Sequence, residues 1–362
     1  MTSETQYAWE VPHLTEDVPG VGGSIRERVE DFVVEEEPAY EPSGKGEHTY
    51  VWIEKRGIST FDVINAMAAD LDVPRQTISS AGLKDTHAVA RQMLSLHFVD
   101  PDAVRDLEIE NVKVLRVSKH RNKLRPGHLR GNHFTIRIRD VHPDAPARAQ
   151  AILETLAARG VPNAYGPQRF GNHGDNHVMG LNLVRGDREA LHARGIHHPS
   201  KRMRRFYVSA LQSALFNQVL SWRIRDDTMD AVILGDVAKK ETTGGIFTVE
   251  NVAAEQPRVD AWEISPTGPM FGYKLMQAEA DAGEIEETIL NAVGLTLDDF
   301  RSVRARGLRR PLRYNPEGLS WEMEDTPGGT GSVRTLVVHF FAPKGSYATM
   351  LLDELMKVPD LH

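Results

Sequence analysis

An α+β fold is predicted by three patterns in the chain. Short strand-like and helical segments mix without regular βαβ alternation, which argues against a Rossmann-type sheet. Phe134, Ile136 and Ile138 alternate with Thr135, Arg137 and Arg139, the signature of a strand with one buried and one basic face. No internal repeat or low-complexity tract interrupts the pattern.

The elements follow in order. Thr49 to Lys55 is a short β-prone segment. Residues 59–71 read as a helix, capped by Ser59 or Thr60, with Phe61, Ile64, Ala68 and Leu71 at helical spacing. Thr77 to Leu83, Gln92 to Phe98 and Val112 to Val117 read as strands. Ala147 to Arg159 is a helix stopped by Gly160 and Pro162. Phe206 to Arg225 is the longest helical pattern, with Val208, Leu211, Leu215, Val219 and Trp222 on one face. Lys239 to Gly245 and Ala254 to Gly272 read as loop-rich, and 281–300 as acidic and helical. Arg334 to Phe341 is a buried strand, and Ser346 to Lys357 a final helix with Ser346 as N-cap.

At 362 residues, two domains are expected. The chain has no cysteine, which excludes thiolate nucleophiles, thiolate zinc sites, iron–sulfur clusters and disulfides. No apolar run reaches the ~20 residues of a membrane helix. Met1 to Glu10 lacks the basic and apolar regions of a signal peptide. A cytoplasmic location is expected, which the absence of cysteine fits.

The net charge of −8 argues, as an average, against a nucleic-acid partner. The distribution argues otherwise. Residues 1–50 hold twelve acids and three bases, so the other 312 residues net to +1. Lys113 to Arg139 carries nine Lys/Arg, three His and no acid. Arg301 to Arg313 carries six Arg and no acid, and Lys201 to Arg205 reads KRMRR. A short basic cluster is ordinarily a solvated face; 27 residues without an acid point instead to contact with a polyanion.

No Walker A motif, HExxH, GxSxG or GxGxxG is present. His173 and His177 share the i, i+4 spacing of helical metal ligands, and His192, His197 and His198 follow. Gly171 and Gly174 break a helix there and no third ligand stands out, so a polar surface loop is expected and no metal. Tyr165 to Gly171 (YGPQRFG) reads equally as a tight turn or as a site wall supplying Arg169 and an aromatic ring. In Ala81 to Ala88 (AGLKDTHA), Asp85 sits on a glycine-flanked turn between a Lys and a His. Taken alone it reads first as a helix cap, and second as a catalytic carboxylate.

AGLKDTHAVARQ resembles the TruD family of tRNA pseudouridine synthases. Further blocks follow in that family's order: GGSIRERVEDFVVEE (22–36), GEHTYVWIEKRGIST (46–60), KLRPGHLRGNHFTIRIR (123–139), VPNAYGPQRFGNHG (161–174), FYVSALQSALFNQVLSWRI (206–224) and APKGSYATMLLDEL (342–355). The resemblance implies a cofactor-free enzyme that isomerises a uridine of tRNA, at position 13 in the D-arm region for bacterial members. It implies Asp85 as catalytic residue and Phe134 as the ring that stacks on the target base. Asn132, Lys84, Arg169 and Arg26 would be substrate-binding. Arg26 stands where the family usually has Lys, and Ala164 where an aromatic is usual. The implied fold is a pseudouridine-synthase core of mixed antiparallel sheet with flanking helices (1–159 and 313–362) and an inserted TRUD domain of α/β type (160–312). Lys123, Arg125, Arg137 and Arg139 are expected to meet RNA phosphates. No obligate protein partner is expected, nor any membrane.

The residue chemistry is compatible. A uridine inside folded RNA must be extruded before it is altered, an aromatic ring can replace its lost stacking, and a carboxylate needs neither cysteine nor metal. Two other readings stand beside this one: a non-catalytic RNA-binding protein or chaperone using the same basic segments, and a metal-dependent hydrolase built on His173 to His198.

Overall fold

The computed structural model describes residues 9–328 and 331–359. Most of the Met1 to Glu10 segment, Glu4 included, and the last three residues lie outside the described residues. Helices and sheets mix as an α+β fold.

The first part of the chain supplies β1 (Phe32–Pro38), β2 (His48–Arg56), α1 (Thr60–Asp70), β3 (Ile78–Ser80), β4 (Val89–His97), α2 (Pro101–Arg105), β5 (Val112–His120), β6 (Leu129–Ile138) and α3 (Ala145–Arg159). Ser59 caps α1, its hydroxyl accepting from the Asp62 amide, and Gly160 ends α3 at φ 87°, a value that favours glycine. The middle contributes β7 (Val161–Pro162), α4 (Asn176–Arg185), α5 (Arg188–Ala193), α6 (Lys201–Arg225), β8 (Val237–Lys240), β9 (Ile246–Thr248), α7 (Val252–Asp260), β10 (Ile264–Met270), α8 (Ala280–Ala292), β11 (Leu308–Pro311) and β12 (Arg313–Tyr314). The chain closes with β13 (Ser320–Gly328), β14 (Gly331–Pro343) and α9 (Ala348–Met356).

The main sheet runs β13-β14-β6-β1-β4-β2-β5, with β3 alongside β4. β1 and β4 are parallel and the other neighbours antiparallel. A smaller sheet runs β11-β10-β8-β9. β7 and β12, where the chain leaves and re-enters the main-sheet region, pair with each other, Val161 opposite Tyr314.

Register sorts the main sheet into two faces. Val34 pairs with Phe134 and Glu36 with Asn132, while Phe340 and Ala342 oppose Phe134 and Asn132 from the other side. These residues therefore share one face. On that face Ile136, Ile138, Leu336 and Val338 join Ile152, Leu156, Leu351 and Leu355 of α3 and α9 in one core. Val51, Ile53 and Leu94 pack with Val63, Ile64 and Met67 of α1 in another. The strip between, over β1 and the start of β6, carries Glu36, Asn132 and Phe134.

The opposite face is a lattice of ion pairs. Arg91 meets Glu35 and Glu54, Arg130 and His133 meet Glu37, and Arg137 grips Glu324 with both Nε and Nη2 at 3.0 Å.

Several sequence expectations change here. Residues 239–245 and 254–272, read as loop-rich, include the end of β8, most of α7 and the wholly buried β10. β10 contains Pro266, Gly268 and Pro269, which sequence rules count against a strand. It pairs with β8 only over Ile264 to Pro266 and with β11 only over Thr267 to Met270. Each half therefore has an unpaired edge where a missing N–H is tolerated. The last helix is capped at Tyr347 rather than Ser346, α6 begins at Lys201 rather than Phe206, and Trp222 is exposed.

Arg139, expected to face phosphate, is buried. It holds the fully buried Asp31 with Nε at 2.9 Å and Nη2 at 2.6 Å. Burial pushes the Asp31 carboxyl up, but the Arg139 hydrogen bonds, the Arg28 backbone N–H and the charges of both arginines together hold the group below its usual range. Asp31→Ala leaves a buried guanidinium unpaired and should cost about 3 kcal/mol or more, read as a lower urea midpoint. A change under about 0.5 kcal/mol would mean water replaces the carboxylate there.

Candidate active site

Asp85 lies on the turn between β3 and β4, its side chain half exposed, and no helix starts there for it to cap. The turn is clamped from two sides. Preceding Asp85, Lys84 is buried; its Nζ pairs with Glu36 Oε2 at 2.8 Å and donates to Asn132 Oδ1 at 2.7 Å. Its backbone N–H donates to Thr60 Oγ1 at 3.0 Å, and Thr60 in turn donates to Gln92 Oε1. At Asp85 itself, the backbone carbonyl accepts from Lys55 Nζ at 2.5 Å, and the same ammonium donates to Ile58 O at 2.7 Å. Two lysines thus run in opposite senses: one side chain of the turn reaches down into the sheet, and one side chain of the sheet reaches up to the turn.

Arg26 enters from the segment before β1. Its Nη2 is 3.8 Å from Asp85 Oδ1, and its guanidinium lies 4.7 Å from the centroid of the Phe32 ring. Its φ is 63°, a left-handed backbone for a non-glycine residue, which costs of order 1–3 kcal/mol. Phe134 is partly exposed. It meets Phe32 edge-on at 5.9 Å and stacks on Phe340 at 5.2 Å. Gly131 precedes Asn132 because β6 and β14 touch there: a Cβ would collide with the Ala342 carbonyl oxygen and the Phe341 ring.

Asp85, Lys84, Arg26, Asn132 and Phe134 therefore meet over the uncovered strip of the sheet. Among the described residues Arg169 makes no hydrogen bond or ion pair with any of them. Its Nη2 donates to Tyr347 Oη at 3.1 Å and its guanidinium sits 5.0 Å from the Tyr165 ring, at the start of α9. Lys123 and Arg125 are exposed on the β5–β6 loop. That loop rests against the site turn, with the Gly127 N–H on Ala81 O at 2.8 Å. Arg137 and Arg139 lie on the other face of β6 from Phe134, already paired with Glu324 and Asp31. The strand that aims Phe134 at the site aims them away from it. Lys113, Arg116 and Lys119 stand exposed on β5, the edge strand, where charge also discourages pairing with another chain.

Glu36, Lys55 and Phe340 were not foreseen. The first two had a signal. Phe32, Val34 and Glu36, and likewise Val51, Ile53 and Lys55, alternate in one phase, so a charge falls where the pattern points inward. An inward charge must be paired or hydrogen-bonded, and both are. No group of three or more His, Asp or Glu able to hold a metal occurs among the described residues. His177 is buried in α4, edge-on to Phe170 at 5.7 Å, rather than in a surface loop.

Burial pushes the Lys55 ammonium down to about 8; the Asp85 carboxylate opposes this and Lys84 adds to it. The folded value lies below the unfolded one, so between about pH 8 and 10.5 the unfolded chain binds the extra proton and stability rises with pH. Thermal melts should show this rise in the wild type and lose it in Lys55→Met. An identical pH dependence in both would mean another group is responsible.

Comparison with known proteins points one way. The family model for tRNA pseudouridine synthase D (TruD) matches residues 9–201 and 188–355. The tRNA pseudouridine synthase D of Geobacter sulfurreducens is 39% identical over 407 residues, covering 96% of this chain and 97% of its own. That of Thermus thermophilus is 45% identical over 351 residues, covering 97% and 93%. A crystal structure from Methanosarcina mazei, described as a putative TruD, superposes with a TM-score of 0.82 at 25% identity, covering 98% of this chain and 97% of its own.

Proposed function

This chain belongs to the TruD family of tRNA pseudouridine synthases, and on that premise we propose that it converts a uridine of tRNA to pseudouridine at the Asp85 turn. The observation that carries the reading is the convergence of Asp85, Arg26, Lys84, Asn132 and Phe134 on one uncovered strip of the sheet. We assign the target to position 13, in the D-arm region, on the family resemblance alone. The catalytic unit is taken as 1–159 with 313–362 and the inserted unit as 160–312. The pairing of β7 with β12 supports that division, because the two chain passages cross side by side.

The reaction breaks the bond between N1 and the ribose C1′ and forms one between C5 and C1′. C5 loses its proton and N1 gains one. No redox partner is needed. The Asp85 carboxylate acts as nucleophile or base, half exposed so that it reaches substrate, while Lys84 and Lys55 fix the turn that carries it. Arg26 supplies positive charge beside it. Phe134, backed by Phe340, offers a ring to the extruded base, and Asn132 is oriented by Lys84. Lys123 and Arg125 guide the backbone at the rim of the site.

A second contact with the same tRNA fits the bowl formed by Arg185, Arg188, His192, His197, His198 and Arg204, of about 650 Å3 and with no acid among the described residues of its lining. Arg204 and Ser302 bring the 201–205 and 301–313 stretches, far apart in sequence, to one place. His192, His197 and His198, from the cluster first weighed for metal binding, fall here among arginines, a setting for anions.

Asp85→Asn should abolish tritium release from tRNA labelled at uridine C5, with the Kd for tRNA within about threefold of wild type. Activity at the wild-type rate would remove Asp85 from the chemistry, and wild-type protein that binds tRNA without releasing tritium would favour the RNA-binding reading. The double variant Arg188→Ala, Arg204→Ala should lower the slope of log K against log salt by about 1.5, from two lost phosphate contacts. An unchanged slope would take the bowl out of the RNA interface.

A further inference from the structure

A second concavity, of about 430 Å3, borders the strip just described. It is framed by Asn163 and Tyr165, by Lys239 and Glu241 of the smaller sheet region, by Trp262, by 308–317, and by Pro343 to Ser346 after β14. Its size falls in the range of about 300–1,000 Å3 that suits a small ligand or one residue of a larger one. It abuts the site through the backbone. Ala342 pairs with Asn132, which Lys84 holds, and Pro343 and Lys344 follow directly, the Lys344 N–H donating to Arg130 O at 2.8 Å.

The chemistry of this pocket is unusual in one respect. Arg310 is about nine-tenths buried, yet among the described residues no carboxylate pairs with it. Nε and Nη2 donate to the Asn163 carbonyl and to Asn163 Oδ1, at 3.1 and 2.5 Å. Its guanidinium stacks near Tyr165 at 4.3 Å and Phe216 at 5.5 Å. Tyr165 adds a side-chain hydrogen-bond partner, and Nη1 lies near Gly345, whose Cβ, if it had one, would stand 3.9 Å away. By contrast Arg309, the neighbour in sequence, is held by Glu286 at 2.7 and 2.9 Å. Arg313 is likewise buried, with its Nε unpartnered among the described residues, and lies 3.9 Å over the Trp262 ring. Lys239 and Lys344 add two more cations at the wall, against Glu241 and Glu317. A buried cation without a counter-charge is costly, and an anion that arrives with the substrate lowers that cost. Aromatic surface beside cations is the pairing that accepts a nucleotide: a ring to stack and a phosphate to hold.

We propose that this pocket seats a second nucleotide of the RNA strand, adjacent to the target uridine, with its phosphate at Arg310 and Lys344 and its base along Trp262. The inference rests on the reading of the chain as a tRNA pseudouridine synthase. It deepens that reading by assigning a subsite for a non-reacting nucleotide, whose binding energy would hold the strand while the target is extruded.

Steady-state tritium release from a tRNA transcript tests it, with filter binding in parallel at two salt concentrations. Lys344→Ala and Lys239→Ala, both at the pocket wall, should each raise KM about three- to tenfold with kcat within about twofold, and flatten the salt slope by just under one unit. Arg310→Gln should raise KM at least tenfold, its melting temperature showing whether the variant is folded. Lys274→Ala, an exposed lysine outside the pocket lining, is the control and should leave KM unchanged. Wild-type KM in both pocket lysine variants, or an equal rise in the Lys274→Ala control, overturns the proposal. Absence of tritium release from the wild type would instead overturn the assigned reaction, so the two failures are distinguishable.

Discussion

The buried ammonium of Lys84 ties the arrangement together. It reaches from the turn that carries Asp85 to Glu36 on β1 and Asn132 on β6. Three separate segments of the chain thereby acquire one fixed relation. A charge at that depth is unfavourable without partners, so the Glu36 carboxylate and the Asn132 carbonyl oxygen are needed for the turn to dock at all. Lys55, from β2, holds the same turn through the Asp85 carbonyl. The constraint explains why a half-exposed aspartate on a short connection keeps a definite position. Its own side chain is left for substrate because its neighbours do the anchoring.

The sheet imposes a second constraint. Helices α3 and α9 cover one end of its inner face and α1 the other, and the polar strip lies in the gap. On the outer face the alternation that aims Phe134 inward aims Arg137 outward, into a pair with Glu324. The basic character of 113–139 therefore has several origins. Part belongs to the edge strand, part to internal ion pairs, and part, at Lys123 and Arg125, to the loop beside the site. A count of charges along the sequence merges these. The uniformly basic strand face read from that count is neutralised in the fold.

The legible parts of the fold are those where local pattern and tertiary environment agree. The α1 cap at Ser59, the stop of α3 at Gly160 and the buried strand β14 all follow from local chemistry. The smaller sheet is not legible in the sequence because β10 contains two prolines and a glycine. Its stability comes from partial pairing on each side and from complete burial, neither of which is a local property. Glu36 and Lys55 left a trace, a charge in the inward phase of a strand. The identity of their partners required the register.

By itself the sequence determined the fold class, most element positions, the exclusion of thiol chemistry, and the ordered blocks that mark the family. Those depend on composition, periodicity and motif, which are written along the chain. Only the tertiary structure decided which charges are free to meet a substrate. It separated Arg310, buried without a carboxylate partner among the described residues, from Arg309, held by Glu286 one residue earlier, and set Arg139 against Asp31. Side chains adjacent in sequence point to opposite sides of a strand, so whether a cation is paired depends on partners brought near by folding.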